Sequence, residues 1–410
     1  MARGENALVK ALRFDRKPAR LVAGATAGRW RAGSGARYGP LDLRRVDEPA
    51  LPGDGWERIR PRLAGICGSD LATVDGRSSR WFEPIVSFPF VPGHEVVADR
   101  GGPGEPTGAR VVLEPVLGCV TRAIDPPCRP CADGRLGNCE RIAFGRLEPG
   151  LQSGYCCDTG GGWSTTMVAH ASQLHAVPAE LSDEAAMMVE PTACAVHGAL
   201  AGEPAEGEVV AVIGAGTVGV LVVAALRRFT RIGSLLVTAK HPDQRALARG
   251  LGADVVVAPG ELARAVRRAT GSLALGDGPL TRLTGGADLV IDCVGSADSV
   301  AAALAVTRPR GRVVLVGMPG TVTVDLTGLW QREIAVMGAY AYGVEKLGTG
   351  PRRTFDLAFE LVAAADLGRL VSATYPLDRY ADAIAHAADA GTRGAVKIAF
   401  DLRHEKERIR

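Results

Sequence analysis

The fold is decided by residues 209–228, whose sequence is VVAVIGAGTVGVLVVAALRR. The apolar run Val209 to Ile213 is typical of a buried strand, and the apolar run after the glycines is long enough for a helix. Between them, Gly214 permits a tight turn, Gly216 lets a pyrophosphate approach the backbone, and Gly219 lets the helix pack closely on the strand. The helix N-terminus would then face the phosphates. The stretch therefore predicts a dinucleotide site that contains Gly214, Gly216, Thr217, Val218 and Gly219.

Outward from this stretch, apolar strands alternate with Ala-rich helical segments. Further strands are expected at 235–237, 255–257, 289–293 and 313–316. This alternation predicts an α/β domain with a parallel sheet that helices cover on both faces. The chain before about residue 177 has short apolar runs broken by Gly and Pro, which indicate a β-rich domain with long loops. We expect a first domain in 1–189, the nucleotide domain in 190–342 and a return to the first domain in 343–410.

Composition excludes several classes of protein. Hydrophobic residues make up 47% of the 410 residues and charged residues 23%, which is typical of globular proteins and not of disordered or fibrous ones. The net charge is only +3, and no long run of one sign predicts nucleic acid or a membrane as partner. Charged residues such as Arg3, Lys10 and Arg13 interrupt the apolar residues near the start. No signal-peptide core can be drawn there, so we expect a cytoplasmic protein.

Four of the nine cysteines are grouped in one loop-rich stretch: Cys119, Cys128, Cys131 and Cys139. In a chain without a secretion signal, such a group indicates metal ligation more than disulfides. Four thiolates close a tetrahedral zinc site and leave no position open for substrate, which is the structural type of site. Unrelated buried thiols are one alternative. A zinc ribbon that binds nucleic acid is another.

A second set of metal-binding residue types lies in three motifs: Cys67-Gly68-Ser69-Asp70, Gly93-His94-Glu95 and Glu190-Pro191. A catalytic zinc site needs about three protein ligands and one open position, and Cys, His and Glu are all suitable donors. Any one of these residues alone is more often a packing residue. Together they predict a second metal site, which is catalytic.

At these motifs the chain resembles the zinc-containing medium-chain dehydrogenases, in particular the branch of sorbitol and threonine dehydrogenases. The resemblance extends from about residue 10 to residue 400 and includes both groups of candidate ligands, the glycine fingerprint and Val316-Gly317 after a late strand. It implies a GroES-like β-rich catalytic domain and a Rossmann cofactor domain, with Val316 and Gly317 at the cofactor. The implied activity is zinc-dependent hydride transfer between a small-molecule alcohol or polyol, or its carbonyl form, and NAD or NADP. A homodimer or homotetramer is also implied.

The resemblance assigns the metal ligands residue by residue. Cys67 and His94 become ligands of the catalytic zinc. Glu95 and Glu190 compete for the third position, or one binds the metal while the other holds its water. A zinc-independent quinone or enoyl reductase of the same superfamily would need neither ligand group. A non-catalytic zinc and nucleotide sensor or scaffold is the remaining alternative, and loss of Ser69 or of a ligand would favour it.

Two further roles and two departures follow from the same resemblance. Ser69 becomes the hydroxyl that accepts the substrate proton, and Asp70 orients His94. The family often has a His five residues after the catalytic Cys as the next proton carrier, but Ala72 stands there, which leaves the proton path open. Eight residues, 120–127, also replace the usual two between the first cysteines of the group of four. We interpret them as a loop insertion that still lets the four sulfurs converge.

The end of the second nucleotide-domain strand indicates which cofactor is used. NAD-specific folds usually have an Asp or Glu about 20 residues beyond the glycines, where it binds the ribose 2′-hydroxyl. By the family's spacing, Ala239 stands at that position. A small residue leaves room for a phosphate, and Lys240, with His241 or Arg245, supplies positive charge. We therefore expect NADP. In the alternative, Lys240 is a solvated strand-end residue, Asp243 binds the ribose, and the cofactor is NAD.

Overall fold

The computed structural model describes residues 8–102, 108–276, 282–348 and 350–405. The strands, in chain order, are β1 (Leu8–Phe14), β2 (Leu41–Asp47), β3 (Trp56–Gly65), β4 (Val96–Arg100), β5 (Arg110–Leu113), β6 (Met167–His170), β7 (Leu174–Ala176), β8 (Val210–Ile213), β9 (Leu235–Thr238), β10 (Val255–Val257), β11 (Ala274–Leu275), β12 (Arg282–Leu283), β13 (Ala287–Asp292), β14 (Thr307–Leu315), β15 (Ala335–Gly338), β16 (Val344–Leu347), β17 (Gly350–Arg353), β18 (Val371–Tyr375) and β19 (Lys397–Asp401).

The helices are α1 (Pro18–Trp30), α2 (Gly35–Tyr38), α3 (Gly68–Val74), α4 (Arg129–Ala132), α5 (Asp183–Met187), α6 (Val189–Ala201), α7 (Thr217–Phe229), α8 (Pro242–Gly250), α9 (Leu262–Thr270), α10 (Ala297–Val306), α11 (Thr327–Gln331), α12 (Thr354–Ala364) and α13 (Tyr380–Ala388). Among these described helices, none combines the length and the apolar character needed to cross a membrane. The chain divides into two compact units, one made of 1–190 with 366–410 and the other of 191–365.

The second unit contains a six-stranded parallel sheet in the order β10-β9-β8-β13-β14-β15. Counted from β8 as the first strand, this is the 3-2-1-4-5-6 order of the Rossmann fold. Every residue of β8 and β9 is buried, as expected for a sheet covered on both faces. The predicted α/β fold of this part of the chain is confirmed.

The second unit continues further along the chain than the sequence indicated. The antiparallel hairpin β16–β17 and helix α12 follow the last strand of the parallel sheet. Helix α12 contacts both β17 and α7, which keeps this segment with the nucleotide-type domain. The return to the first unit therefore begins at Asp366 and not at position 343.

The first unit is built on a seven-stranded sheet in the order β18-β19-β3-β4-β5-β7, with β6 paired to β3. Strand β19, from the end of the chain, runs antiparallel to β3 and pairs Ala399 with Gly65. The returning segment thus completes a sheet begun more than 300 residues earlier. Its core includes Trp163, which packs edge-on against Phe400 with ring centroids 5.1 Å apart.

An insertion between β1 and β2 contains α1 and α2 and is attached to the end of α3. Asp75, fully buried just after α3, accepts hydrogen bonds from the backbone N–H groups of Gly33 at 2.8 Å and Gly35 at 3.0 Å. The buried residues of α1 are Gly24 and Gly28, and a Cβ at Gly28 would lie 2.6 Å from the Asp75 Cβ. This insertion therefore fixes the end of α3 through backbone contacts.

Candidate active site

Helix α3 positions the first candidate residues. Cys67 is its extended N-cap residue, and the Cys67 N–H donates to Asp70 Oδ2 at 2.9 Å. Asp70 thus satisfies a backbone donor that a helix start leaves without a partner. Ser69 and Thr73 are four residues apart on α3 and therefore lie on the same face. The Ser69 Oγ atom is buried and has no hydrogen-bond partner among the described residues.

One candidate metal site lies next to this helix. The ligand atoms of Cys67, His94 and Glu95 all lie within 4.8 Å of one another. His94 and Glu95 are buried, and His94 Nδ1 lies 3.6 Å from Asp70 Oδ1. Because Nδ1 faces Asp70, Nε2 is the ring atom left available to a metal.

Negative charge is concentrated around His94. Burial alone would lower the pKa of His94, but Asp70, Cys67 and Glu190 together raise it well above its usual value. Glu190, which the sequence linked to the same site, contributes to this rise by its charge but is not part of the converging group of Cys67, His94 and Glu95. A donor set of one thiol, one imidazole and neighbouring carboxylates suits a divalent cation such as zinc.

A buried ion pair that the sequence did not reveal stands behind Glu95. Lys397, on β19, forms this pair with Glu95 and donates a hydrogen bond to the Ile66 carbonyl at 3.2 Å. A Cβ at Gly65 would overlap the Glu95 carboxylate, so only glycine admits the pair. Burial would lower the pKa of Lys397, but Glu95 and Cys67 raise it, so the lysine carries its charge.

Tyr155 is a second site residue that the sequence analysis missed. Its hydroxyl donates to Asp70 Oδ1 at 3.3 Å and lies 3.2 Å from Thr73 Oγ1, and its ring centroid is 6.1 Å from that of His94. Burial raises the pKa of the phenol well above its usual value, and the nearby Asp70 charge adds to this effect. The tyrosine is therefore a neutral hydroxyl at neutral pH.

The four grouped cysteines form a second candidate metal site. Their sulfur atoms all lie within 4.8 Å of one another. Two backbone N–H groups point at sulfurs: that of Cys128 lies 3.3 Å from Cys119 Sγ, and that of Arg141 lies 3.4 Å from Cys139 Sγ. Hydrogen bonds to sulfur stabilise the thiolate form that a metal requires. The arrangement fits zinc bound by four sulfurs.

The eight-residue insertion 120–127 organises this lobe through Arg122. The side chain is fully buried, and its guanidinium donates to five backbone carbonyls, those of Leu117, Phe144, Leu147, Glu148 and Gly150. These bonds compensate the cost of burying its charge and tie together the loops that contain Leu117 and 144–150. The insertion is therefore part of the framework that lets the four sulfurs converge.

The glycine fingerprint has the backbone geometry that a phosphate-binding turn needs. Gly214 has φ +95°, a conformation that favours glycine. A Cβ at Gly219 would overlap the Gly214 carbonyl, whereas a Cβ at Gly216 would meet nothing within 4 Å. Helix α7 begins at Thr217, directly after the open space at Gly216. This position suits a pyrophosphate at the helix N-terminus.

Val316 and Gly317 lie at the same edge of the parallel sheet. They follow β14, and their N–H groups both donate to the Asp292 carbonyl, at 2.9 and 2.8 Å. Asp292 ends β13, the strand next to β8. Because the carboxyl ends of parallel strands form the ligand-binding edge of such sheets, both residues lie where the cofactor was expected.

The tip of β9 presents one exposed cation. Ala239 is buried, whereas the Lys240 side chain is exposed. Arg245 donates to the carbonyl oxygens of Ala239 at 3.0 Å and Lys240 at 3.2 Å, so it fixes the backbone of the tip. His241 caps α8 from the partly buried position that follows. Of the three candidate cations, Lys240 is thus the most exposed.

Comparison with known proteins identifies the family. Residues 53–179 match the model of the alcohol dehydrogenase GroES-like domain, and residues 217–372 match that of the zinc-binding dehydrogenase. D-xylulose reductase A of Aspergillus oryzae is 30% identical over 69% of this chain and 74% of its own length. The chain belongs to the zinc-binding medium-chain dehydrogenases. The protein is accordingly an oxidoreductase that depends on zinc and a nicotinamide cofactor and acts on an alcohol or polyol, or on the corresponding carbonyl compound.

Further relatives place this medium-chain dehydrogenase in the branch that the sequence indicated. Sorbitol dehydrogenase of Arabidopsis thaliana is 28% identical over 84% of this chain and 88% of its own length. The crystal structure of 2R,3R-butanediol dehydrogenase from Bacillus subtilis has the same fold, with a TM-score of 0.68 at 21% identity over 96% of this chain and 99% of that one. The predicted combination of GroES-like and Rossmann domains is confirmed.

The fingerprint glycines provide a matched pair of substitutions. Gly219→Ala forces a Cβ into the Gly214 carbonyl, so we expect it to lower the free energy of unfolding by about 1–3 kcal/mol. At Gly216 the backbone is extended and a Cβ would meet no atom of the protein. Gly216→Ala should therefore change the free energy of unfolding by less than about 1 kcal/mol. It should weaken binding of NADPH or NADH by about tenfold, because the methyl group enters the phosphate position. Thermal denaturation and a fluorescence titration with each cofactor measure both effects, and equal stability of the two variants would contradict this interpretation.

Proposed function

We propose that the dehydrogenase oxidises its alcohol at the site formed by Cys67, His94 and Glu95, which hold the catalytic zinc ion. The observation that carries this proposal is the convergence of the three ligand atoms within 4.8 Å, next to a buried Ser69 hydroxyl without a partner. Zinc held by these three residues would supply a Lewis acid that lowers the pKa of an alcohol hydroxyl toward neutral pH. Glu95 is the third ligand in this proposal, because it belongs to the converging group.

The other residues of the site position these groups and move the proton. Ser69 accepts the proton from the alcohol, since its oxygen is otherwise unused. Asp70 orients His94 from the Nδ1 side. Lys397 balances the charge of Glu95 and so moderates its hold on the metal. Glu190 acts on the site by its charge and positions the water or substrate oxygen.

We further propose a second zinc ion, bound by Cys119, Cys128, Cys131 and Cys139, that stabilises the lobe. The four converging sulfurs and the N–H groups directed at them support this site. All nine cysteines lie in the described ranges and none of them forms a disulfide there, and on this basis we propose a cytoplasmic location. Association as a homodimer or homotetramer is proposed from the family resemblance.

The test of the activity is a panel of sorbitol, xylitol, 2,3-butanediol and 2-propanol, with reduction of NADP and NAD followed by absorbance. We expect at least one polyol or secondary alcohol to be oxidised by the wild type. Cys67→Ala should lower kcat by at least about 100-fold, because a metal ligand is lost. Cys157→Ala removes a partly buried thiol that belongs to neither candidate metal site, and it serves as the matched control.

The roles of Glu95 and Glu190 can be distinguished by measuring kcat together with the zinc content of each variant. Glu190→Ala should lower kcat more than it lowers zinc content. Full activity of Glu190→Ala would assign its role to Glu95, and retained activity of Cys67→Ala would remove the proposed site.

We propose NADP as the preferred cofactor. The buried Ala239 leaves room beside the ribose, and the exposed Lys240 supplies a positive charge at the same strand tip. A 2′-phosphate carries negative charge that an acid at position 239 would repel. Arg245 holds the backbone of the tip and supports this arrangement through its two carbonyl contacts.

The ratio of kcat/KM for NADP to that for NAD measures the preference. We expect a ratio above one for the wild type and a fall of about tenfold in Lys240→Ala, since one charge-assisted phosphate contact is lost. Lys346→Ala removes another exposed lysine of the same unit and should leave the ratio unchanged. A wild-type preference for NAD would favour the alternative in which Asp243 binds the ribose.

A further inference from the structure

The proton that Ser69 accepts needs a route to solvent that the family's usual residue does not provide here. Ala72 replaces the histidine that often carries this proton, and a methyl group cannot transfer one. Ser69 and Thr73 project from the same face of α3, one turn apart. Tyr155 reaches this face from another part of the chain, with its hydroxyl beside both Asp70 and Thr73. Three hydroxyl groups, those of Ser69, Thr73 and Tyr155, thus lie at this face of α3.

We propose that the hydroxyls of Tyr155, Thr73 and Ser78 relay the substrate proton from Ser69 to solvent. The proposal rests on the proposed function, in which Ser69 accepts the proton. The distance from Tyr155 OH to Thr73 Oγ1 is 3.2 Å, and that from Thr73 Oγ1 to Ser78 Oγ is 3.0 Å. Ser69 lies one turn before Thr73 on the same face of α3, so its hydroxyl is the inner neighbour of this relay.

The burial of these residues gives the relay an inner end and an outer end. Tyr155 is buried, Thr73 is half-buried and Ser78 is exposed. The turn after α3 fixes the outer end, because the Ala72 carbonyl accepts hydrogen bonds from the N–H groups of Arg77 at 2.7 Å and Ser78 at 3.2 Å. The three hydroxyls therefore lead from a buried residue to an exposed one.

The turn is itself held in place by the insertion that contains α1 and α2. Asp75 lies between Thr73 and Ser78 in sequence and is bound by the backbone of Gly33 and Gly35. Arg77 adds a contact to Asp75 Oδ2 at 3.3 Å. Preorganised donors and acceptors cost no rearrangement during reaction, so a fixed turn suits proton transfer.

Each transfer in the relay balances. The alcohol O–H bond breaks as a proton binds Ser69 Oγ, whose own proton passes to Tyr155 OH. The Tyr155 proton passes to Thr73, the Thr73 proton to Ser78, and the Ser78 proton to water. One O–H bond forms at every oxygen as one breaks, so no residue of the relay changes charge. The hydride leaves separately to the oxidised nicotinamide. Rotation about the Tyr155 C–O bond turns its proton from Asp70 to Thr73.

Stopped-flow single turnovers test the relay by recording the proton and the hydride separately. A pH-indicator dye reports the proton, and nicotinamide absorbance reports the hydride, with the panel alcohol that has the highest kcat/KM. In the wild type we expect proton release to keep pace with hydride transfer. In Tyr155→Phe and Thr73→Val it should slow by about tenfold or more and lag behind the hydride at low buffer concentration. Zinc content and melting temperature should stay within the wild-type range.

Matched variants separate the relay from a structural role. Thr73→Ser keeps the hydroxyl and should recover most of the proton-release rate that Thr73→Val loses. Ser78→Ala changes an exposed position, where folding is least affected, and should also slow proton release. Thr26→Val removes a hydroxyl on α1 that bonds only its own helix, and it should behave as the wild type.

The outcomes distinguish the two proposals. If the wild type oxidises no alcohol of the panel, the proposed function fails and the relay with it. If the wild type is active and all three relay variants release the proton at the wild-type rate, the relay alone is overturned. If Thr73→Val and Thr73→Ser slowed proton release equally, the shape of the side chain at this position would matter and the hydroxyl would not. This result too would overturn the relay.

Discussion

The active site depends on the buried carboxylate of Asp70. One oxygen accepts the N–H of Cys67 and so begins the helix that presents Cys67 and Ser69. The other oxygen faces His94 Nδ1 and accepts the hydroxyl of Tyr155. Burial raises the pKa of Asp70, while the neighbouring His94 opposes this shift. Cys67, His94 and Tyr155 are therefore all in contact with or next to a single side chain, which fixes their mutual geometry.

A second constraint joins distant parts of the chain at the same site. The buried pair of Glu95 and Lys397 connects the segment after the first strands of the sheet with its last strand. Removal of either partner would leave an uncompensated buried charge, which is strongly destabilising. The pair also requires glycine at position 65, directly before Ile66 and Cys67. The returning segment is thus necessary for the electrostatics of the site as well as for the sheet.

Motifs with a local physical reason were predictable from the sequence, and contacts between distant segments were not. The glycine fingerprint revealed the Rossmann unit because its strand, turn and helix are contiguous. Tyr155 and Lys397 stand in no recognised spacing and reach the site only through the folded sheet. Helix α1 escaped prediction because it packs through Gly24 and Gly28 and so has no apolar stripe. The extent of the second unit was not evident from the sequence, because the hairpin β16–β17 is only partly buried and its sequence lacks a strand pattern.

The central claim is that one zinc ion is bound by Cys67, His94 and Glu95 and a second by four cysteines. X-ray absorption at the zinc edge, combined with the zinc content per chain, tests it most directly. For the wild type, the account predicts about two zinc ions with mixed ligands, sulfur at about 2.3 Å and nitrogen or oxygen at about 2.0–2.2 Å. For Cys67→Ala, it predicts about one zinc ion surrounded by sulfur alone. One all-sulfur zinc in the wild type, or nitrogen and oxygen ligands that persist in Cys67→Ala, would contradict it.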